Sequence, residues 1–437
     1  MRAGWIASAC LCLFAASARA QPASLIIATV DNAQMLQMQR LTPVFEQAHP
    51  GIAVRWVTLP EASLRRDVAS DIRTRGEQFD IVTIGMYETP LWARRGWLRP
   101  IRPAASYDEA DVLRPIREGL SYHGMLYAAP FYGESSLLMY RKDLLRRAGL
   151  HMPAQPTWSQ IADFATTLND PAHGVHGICL RGKPGWGENM ALVTTMVNAF
   201  GGQWFDMDWR PRLLSRPWKQ AVGLYVDLLR KDGPPDATER NYNGNLSLFE
   251  HGHCAMWVGA SVAAGFVADP ELSKVANVVG FAPAPAEVTS KGSHWLWAWA
   301  LAIPADISHK QAALARSFIA WATSRAYVQL VAQRFGWERV PSGTRRSTYA
   351  DPRFQAAAPW ARLELQAIDS ADPRDATLPP SPYTGVQFVE IAHFPSIGDQ
   401  VGRQISLAVR GRISVGQALT AAQAATRYEM LLAGYPG

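Results

Sequence analysis

The sequence constrains its fold most strongly between residues 24 and 84, where short apolar runs alternate with amphipathic segments. Residues 24–30, 52–59 and 79–84 are rich in β-branched and aliphatic side chains, which is typical of buried strands. Between these runs, apolar residues recur at helical spacing: Met35, Met38, Leu41 and Phe45, then Leu64, Val68 and Ile72. This alternation predicts an α/β layer with a largely parallel sheet. The carboxyl ends of such strands share one edge, where open α/β sheets bind ligands.

The same alternation restarts after Pro130. Residues 135–140 predict a strand, and residues 142–148 predict a helix that Gly149 closes. Further strands are expected at residues 177–180, 255–258 and 275–281. Capping boxes, in which a Ser or Thr is followed by Gln at the third position, predict helix starts after Thr157, Ser308 and Ser414. The sequence therefore predicts two α/β units of comparable size.

Composition excludes several classes of protein. With 437 residues, 48% of them hydrophobic, the chain can bury two or three large cores, which argues against disorder and against a disulfide-stapled miniprotein. The net charge of +6 is small, and no basic run matches a phosphate backbone, so nucleic-acid binding is not expected. Tryptophan is frequent: its 16 residues outnumber the 15 Phe and 13 Tyr, which suggests a ligand with flat apolar faces.

Residues 1–20 are predicted to be a secretory signal peptide. Arg2 precedes an apolar stretch over residues 5–16, and Ala18-Arg19-Ala20 supplies a small-x-small cleavage site. The apolar stretch is too short to span a bilayer, and no later segment approaches that length. We therefore expect an exported, soluble protein located in the periplasm.

Two cysteines, Cys179 and Cys254, remain after the signal peptide is removed. Their spacing does not reveal whether their Cα atoms approach, so a disulfide is left open. His251, His253 and Cys254 also place three metal-ligating side chains within four residues. No second pair of ligands is evident, so we expect a polar turn between a helix and a strand, with no metal and no cofactor.

Common catalytic signatures do not occur in the sequence. There is no Gly-x-Ser-x-Gly elbow, no His-Glu-x-x-His motif and no phosphate-binding Gly-rich loop. Glu88 and Glu134 each follow a predicted strand and leave one alternative, an exported carbohydrate-active hydrolase with a carboxylate pair. That mechanism needs about 5–10 Å between the two carboxyl groups. The main expectation is a protein that is not an enzyme.

Aromatic residues give the strongest indication of a ligand. Trp295, Trp297 and Trp299 alternate, so in a strand their side chains share one face. Trp186 lies in a Gly-rich loop before a predicted helix, and Trp257 ends a predicted strand. Sugars and polyols present C–H faces and rims of hydroxyl groups, which proteins hold with aromatic platforms and polar partners.

Several segments together resemble the extracellular solute-binding proteins of ABC transporters, in the carbohydrate-binding family that includes maltose-binding protein. The segments that carry this resemblance are residues 79–82, 96–98, 124–130, 140–144, 156–158, 249–256 and 318–321. Residues 131–136, 181–189 and 292–302 look like the branch that binds sorbitol, mannitol and related polyols. Gly259 stands where that branch tends to carry an acidic residue, so the particular polyol is left open.

The resemblance implies a two-lobed α/β fold of the type II periplasmic binding protein class, in which each lobe is a mixed sheet flanked by helices. It places residues 21–130 and 290–340 in lobe 1, and residues 131–289 and 341–437 in lobe 2. Crossovers are expected near Pro130, Thr289 and Pro341. The ligand would lie between the lobes, and hinge closure would present the closed form to ABC permease subunits in the inner membrane.

A second rival is a protein of the same fold that binds iron or another anion-coordinated cation through paired tyrosines. Tyr87 and Tyr132 do not form an evident pair of this kind in the sequence. We therefore predict a monomeric periplasmic protein that binds a polyol or a monosaccharide. Its aromatic side chains would stack on C–H faces, and its carboxylates, amides and one arginine would bind hydroxyl groups. The candidate ligand-binding residues are Asp31, Asn32, Tyr87, Glu88, Glu134, Trp186, Glu188, Asn189, Trp257, Trp297 and Arg339.

Overall fold

A computed structural model describes residues 23–436 of the chain, so the predicted signal peptide lies outside the described residues. The strands are β1 (Ala23–Val30), β2 (Ile52–Leu59), β3 (Ile81–Gly85), β4 (Ser121–Tyr122), β5 (Met125–Leu126), β6 (Ala128–Glu134), β7 (Ser136–Arg141), β8 (Met256–Ala260), β9 (Val279–Pro283) and β10 (Trp297–Ala302). The first nine helices are α1 (Ala33–Ala48), α2 (Glu61–Thr74), α3 (Glu88–Arg94), α4 (Arg114–Gly119), α5 (Lys142–Arg147), α6 (Trp158–Leu168), α7 (Asn189–Ala199), α8 (Arg216–Lys231) and α9 (Tyr242–Glu250). The remaining helices are α10 (Ala264–Val267), α11 (His309–Ala322), α12 (Arg325–Phe335), α13 (Arg346–Ala350), α14 (Pro352–Ala357), α15 (Ala361–Ser370), α16 (Phe394–Val409) and α17 (Val415–Leu432). None of these helices has the length and apolar character that a membrane span requires.

The larger sheet has five strands in the order β2-β1-β3-β10-β6. β1 runs parallel to β2 and β3, whereas β10 runs antiparallel to β3 and β6. The predicted alternation of strands and helices at the start of the chain is therefore confirmed. Because β1, β2 and β3 are parallel, their carboxyl ends at Val30, Leu59 and Gly85 lie at one edge of the sheet.

The smaller sheet has the order β8-β7-β9, and its three strands are antiparallel. The predicted strand at residues 177–180 is reduced to two parallel bridges, His176 with Cys254 and Cys179 with Trp257. These bridges add a short parallel segment beside β8. The larger sheet is therefore mixed in direction, whereas the smaller sheet is antiparallel apart from these two bridges. Helices flank both sheets, which confirms the predicted α/β class.

The chain passes from the larger to the smaller sheet at Ser135. Pro130 lies inside β6, which continues to Glu134, and β7 begins at Ser136. The Ser135 hydroxyl donates to the Trp295 carbonyl at 2.8 Å, and the Trp295 backbone N–H donates to Ser136 Oγ at 3.2 Å. Trp295 belongs to the segment that returns from β9 to β10. Two passages between the sheets are thus hydrogen-bonded to each other.

Two of the three predicted capping boxes are complete. Thr157 and Ser414 each accept a backbone N–H at their caps, and the Gln three positions later bonds back to the cap N–H. Ser308 also accepts from the Gln311 backbone, at 3.1 Å. The Gln311 amide, however, donates to the Ser24 carbonyl and to Asp80, so it ties α11 to the start of β1 instead of completing the box.

A small apolar core beside β8 contains a disulfide between Cys179 and Cys254, whose Cα atoms are 5.8 Å apart. This bond answers the question that the sequence left open. Because Cys254 is oxidised, it is not a metal ligand. His251 and His253 lie in the turn between α9 and β8, where His253 Nδ1 is 2.9 Å from the Gly174 carbonyl, as expected for a polar turn.

Candidate ligand-binding site

A cavity of about 260 Å³ opens at the edge of the larger sheet where β1 and β2 end. Residues 181–188, the start of α9 and the tryptophans of the β10 segment form its other walls. The cavity is smaller than the roughly 300–1,000 Å³ typical of sites for drug-sized molecules. Its size and its mixture of aromatic and charged walls suit a small polar ligand.

The end of β1 contributes Asp31 and Asn32 to the cavity. Asn32 caps α1, because its Oδ1 accepts from the Met35 backbone at 2.9 Å. Its Nδ2 donates to the Tyr132 hydroxyl at 3.0 Å, so both ends of the amide are engaged. The Asp31 carbonyl accepts from Asn243 Nδ2 at 2.9 Å, which links this edge of the sheet to α9.

Glu61 and Arg65 line the cavity from α2, the helix that follows the end of β2. Glu61 Oε1 accepts from Arg65 Nε at 3.1 Å and from its terminal nitrogen at 2.9 Å. Gly187 lies directly against this pair, since a Cβ there would be 2.4 Å from Glu61 Oε1. Absence of a side chain at residue 187 therefore lets the opposite wall approach α2 closely.

Residues 181–188 form that opposite wall. The Trp186 backbone N–H donates to Asp399 of α16 at 2.9 Å, and Arg181 donates to the Gly187 carbonyl at 3.0 Å. The Tyr225 hydroxyl of α8 donates to the Arg181 carbonyl at 2.6 Å. These bonds fix the irregular backbone that presents Arg181, Lys183, Trp186 and Glu188 to the cavity.

β10 supplies the aromatic floor. Its register pairs Trp297 with Glu134 and Trp299 with Tyr132 on β6, and all four residues line the cavity. The alternation predicted from the sequence thus places Trp297 and Trp299 on one face. Gly85 makes room for this floor, because a Cβ there would lie 1.8 Å from the Trp297 ring.

Two buried hydrogen-bond donors in the cavity walls, Arg181 Nε and the Tyr242 hydroxyl, have no acceptor among the described residues. A third donor, the Trp295 indole, faces the Glu134 carboxyl group and lowers its pKa. A buried polar group without a partner costs about 1–3 kcal/mol. The arrangement therefore favours a ligand that carries several acceptor oxygens.

Four acidic residues and three basic residues line the cavity: Asp31, Glu61, Glu134, Glu188, Arg65, Arg181 and Lys183. Burial raises the pKa of Glu134 to about 8, although the nearby charge of Arg181 opposes the shift. Burial also raises the pKa of Glu188 to about 7, and the negative charge of Glu61 acts in the same direction. Near neutral pH these two carboxyl groups can therefore donate as well as accept hydrogen bonds.

The cavity brings together part of the predicted site. The predicted residues that line it are Asp31, Asn32, Glu134, Trp186, Glu188 and Trp297. The other candidates lie outside it, and each has a partner or an environment that accounts for its position.

Tyr87 and Glu88 follow β3 as predicted, but they lie behind the cavity wall and do not line the cavity. The Tyr87 hydroxyl donates to the Ile391 carbonyl at 2.8 Å. Glu88 accepts from the Gly85 backbone at 3.0 Å and forms an ion pair with Arg65. Both polar groups are thus engaged by the protein itself.

Asn189, Trp257 and Arg339 are also placed elsewhere. The Asn189 amide is fully buried, accepts from the Gly185 backbone and donates to the Gly402 carbonyl. Trp257 has 0% exposure and packs in the core beside the disulfide, because its position in β8 turns it away from the cavity. Arg339 forms an ion pair with Asp269 at 2.8 Å.

These positions bear on the two rival functions. Glu134 lines the cavity and Glu88 does not, so the structure does not present them as a carboxylate pair in one site. Tyr87 and Tyr132 likewise do not share the cavity wall. Between residues 23 and 436, no group of three or more His, Cys, Asp or Glu side chains is arranged to hold a metal ion.

Sequence reasoning missed several residues of the cavity. Glu61 follows a predicted strand, as Asp31 does, so the same rule applied to β2 would have found it. Arg181 lies within a segment already noted for its family resemblance. Tyr242 begins α9 and Gln387 lies in the segment between α15 and α16, and only the tertiary fold brings them to the cavity.

Comparison with known proteins identifies a family and a close relative of this chain. The family described as bacterial extracellular solute-binding protein matches residues 29–329. The mannitol-binding protein of Pseudomonas aeruginosa is 52% identical over 432 residues, which cover 99% of this chain and 98% of that protein.

Solved structures agree in fold. An ABC transporter solute-binding protein from Agrobacterium vitis S4 with bound D-mannitol is 51% identical, with a TM-score of 0.93, over 95% of this chain and all of that chain. A solute-binding protein from Agrobacterium radiobacter K84 in complex with ribitol is 25% identical, with a TM-score of 0.82, over 93% of this chain and 99% of that one.

Proposed function

The chain belongs to the bacterial extracellular solute-binding protein family, and we propose on that basis that it binds an acyclic polyol, D-mannitol first, for an ABC importer. The observation that carries this proposal is a pair of buried donors without acceptors in the cavity walls: Arg181 Nε and Tyr242 Oη. Hydroxyl groups of a polyol would accept from both. Glu134 and Glu188 would exchange hydrogen bonds with the remaining hydroxyls.

We further propose that the ligand lies between two lobes that close around it. The larger sheet would belong to one lobe and the smaller sheet to the other, with passages at Ser135, before Trp297 and near Ser342. The Gly133 backbone N–H donates to the Ser342 carbonyl at 3.0 Å, so the first and third passages lie side by side. Adjacent passages of this kind support a hinge that bends at one place.

The family implies a periplasmic location, and the proposed partners are the permease subunits of an importer in the inner membrane. We propose that the protein is a monomer that binds and delivers its ligand without chemical change. The predicted cleavage after Ala20 is part of this proposal and would release the protein from its signal peptide.

Calorimetric titration of the purified protein tests the proposal, with D-mannitol, D-sorbitol, D-arabitol, ribitol, D-glucose and maltose as ligands. A thermal melt is a second measurement of the same binding. A ligand present at 100 times its dissociation constant should add about 2.7 kcal/mol to the free energy of unfolding, which raises the melting temperature. Binding of D-mannitol is expected. If no member of the panel binds, the polyol proposal is wrong.

Two variants locate the binding. Tyr242→Phe removes one buried donor and is expected to weaken D-mannitol binding about fivefold, because a neutral hydrogen bond contributes about 1 kcal/mol. Tyr428→Phe is the matched control, since Tyr428 is 62% exposed on α17. Equal effects of the two substitutions would remove Tyr242 from the proposed site.

A further inference from the structure

Arg65 occupies the centre of the aromatic floor. Its guanidinium carbon lies 4.1 Å from the ring centre of Trp186, 4.7 Å from that of Trp299 and 4.9 Å from that of Trp297. All three distances fall within the roughly 6 Å range of a cation–π interaction. The cation is therefore surrounded by Trp299 and by two rings, Trp186 and Trp297, that were expected to stack on a sugar.

Acidic residues hold Arg65 in this position. Glu61 accepts from two of its nitrogens, and Glu88 forms an ion pair with it from behind. The Arg65 side chain is only 12% exposed. Because both acidic partners and three rings contact one planar group, little freedom remains for the guanidinium to swing away.

The rings around Arg65 are themselves almost completely covered. Trp186, Trp297 and Trp299 are 8%, 5% and 4% exposed. Trp186 also packs against Tyr87, at 4.8 Å between ring centres, and Trp297 packs edge-on against Phe388 at 5.9 Å. No broad indole face is therefore left for the C–H face of a pyranose ring.

Resting on the proposed function, we infer that Arg65 is a specificity-determining residue that selects acyclic polyols against pyranose sugars. A pyranose gains much of its binding energy by stacking a flat face on an aromatic ring, and here the guanidinium takes that position. An acyclic polyol has no flat face to stack. It relies on directed hydrogen bonds, and its rotatable carbon chain can direct hydroxyls to separate donors and carboxyl groups.

The polar groups of the other cavity walls also favour an acyclic ligand. The unpartnered donors Arg181 Nε and Tyr242 Oη lie on two different segments of the chain. Glu134 and Glu188 add two more polar groups from two further positions. D-Mannose and D-mannitol are close in size, so the volume of the cavity alone would discriminate poorly between them. The loss of a stacking surface, in contrast, weakens the binding of only the pyranose ring of D-mannose.

The test is the ratio of the dissociation constants for D-mannose and D-mannitol, measured by calorimetric titration. In the wild-type protein, D-mannitol should bind at least 100-fold more tightly. Arg65→Met keeps the length of the side chain but removes the guanidinium, and it should lower this ratio at least tenfold. Arg66→Met is the matched control, because Arg66 is 68% exposed and pairs with Asp67 on the outer face of α2, and the ratio should not change.

Arg65→Lys is a second variant that tests the role of Arg65 if Arg65→Met does not fold, since lysine keeps a positive charge beside Glu61 and Glu88. A compact ammonium group covers less of the rings than a planar guanidinium, so the ratio should again fall. A wild-type ratio in folded Arg65→Met or Arg65→Lys would overturn the role of Arg65. Equally tight binding of D-mannose and D-mannitol by the wild-type protein would overturn the selection while leaving the proposed hydroxylated ligand in place.

Discussion

The Tyr87 hydroxyl donates a hydrogen bond to the Ile391 carbonyl at 2.8 Å, and this bond joins the end of β3 to the segment that leads into α16. In the proposed division of the chain, Tyr87 and Ile391 lie on different lobes. The bond then forms only when the lobes are closed. Tyr87 would therefore support ligand binding through closure, without touching the ligand.

Substitution of Tyr87 by Phe tests this role. The ring contact with Trp186 is kept, but one hydrogen bond worth about 1 kcal/mol is removed from the closed state. The dissociation constant for D-mannitol should rise about fivefold. Small-angle scattering should also show a larger radius of gyration without ligand than for the wild-type protein. Unchanged affinity and unchanged scattering would show that the bond does not contribute to closure.

Glu134 should make stability depend on pH. Burial raises its pKa from 4.5 to about 8, so between these values the folded protein holds a proton that the unfolded chain releases. This contribution to stability is complete below about pH 4.5 and is lost as the pH rises to about 8, by about 1.4 kcal/mol per pH unit.

Urea unfolding of wild type and Glu134→Gln between pH 5 and pH 8 measures this contribution. The variant cannot take up the proton, so its stability should fall less steeply with pH. Glu118→Gln is the control, because Glu118 is half exposed on α4 and should leave the wild-type slope unchanged. Parallel curves for wild type and Glu134→Gln would contradict the pKa shift.

Trp257 and Trp186 should respond differently to replacement by Phe. Trp257 is fully buried outside the cavity, so Trp257→Phe should lower the free energy of unfolding by roughly 1–3 kcal/mol and change D-mannitol affinity less than twofold. Trp186→Phe removes part of the surface around Arg65 and should weaken binding instead. Chemical denaturation and titration of both variants distinguish the outcomes, and a strong loss of affinity in Trp257→Phe would return that residue to the site.

The disulfide between Cys179 and Cys254 should contribute substantially to stability. It closes a loop with a sequence separation of 75, for which chain entropy predicts about 4.5 kcal/mol. The Cys179→Ala/Cys254→Ala double variant should therefore unfold at a clearly lower urea concentration than the oxidised wild-type protein. Equal midpoints would indicate that the bond constrains the unfolded chain very little.

Local patterns predicted most of the scaffold. The predicted strand at residues 52–59 matches β2, and complete capping boxes begin α6 and α17 where expected. Such features depend on neighbouring residues, which the sequence shows directly. Gln311 departs from the pattern because its amide bonds to residues far away in the chain, at Ser24 and Asp80.

The site was predicted less completely, because it depends on distant contacts. The rule that ligands bind after parallel strands led to Asp31 and Asn32, which line the cavity. The same rule led to Glu88, which pairs with Arg65 and lies behind the wall. Nothing local in the sequence indicates that Arg65 enters the group of tryptophans, since this requires α2 and β10 to meet.

A crystal structure of the protein with D-mannitol tests the central claim most directly. The polyol should lie in the cavity between β1, α9 and residues 181–188, with its oxygens about 2.7–3.2 Å from Arg181 Nε and Tyr242 Oη. Arg65 should remain among the three tryptophans, without a ligand ring stacked on them. D-Mannitol bound elsewhere, or bound in the cavity with both donors still unpaired, would contradict this description of the site.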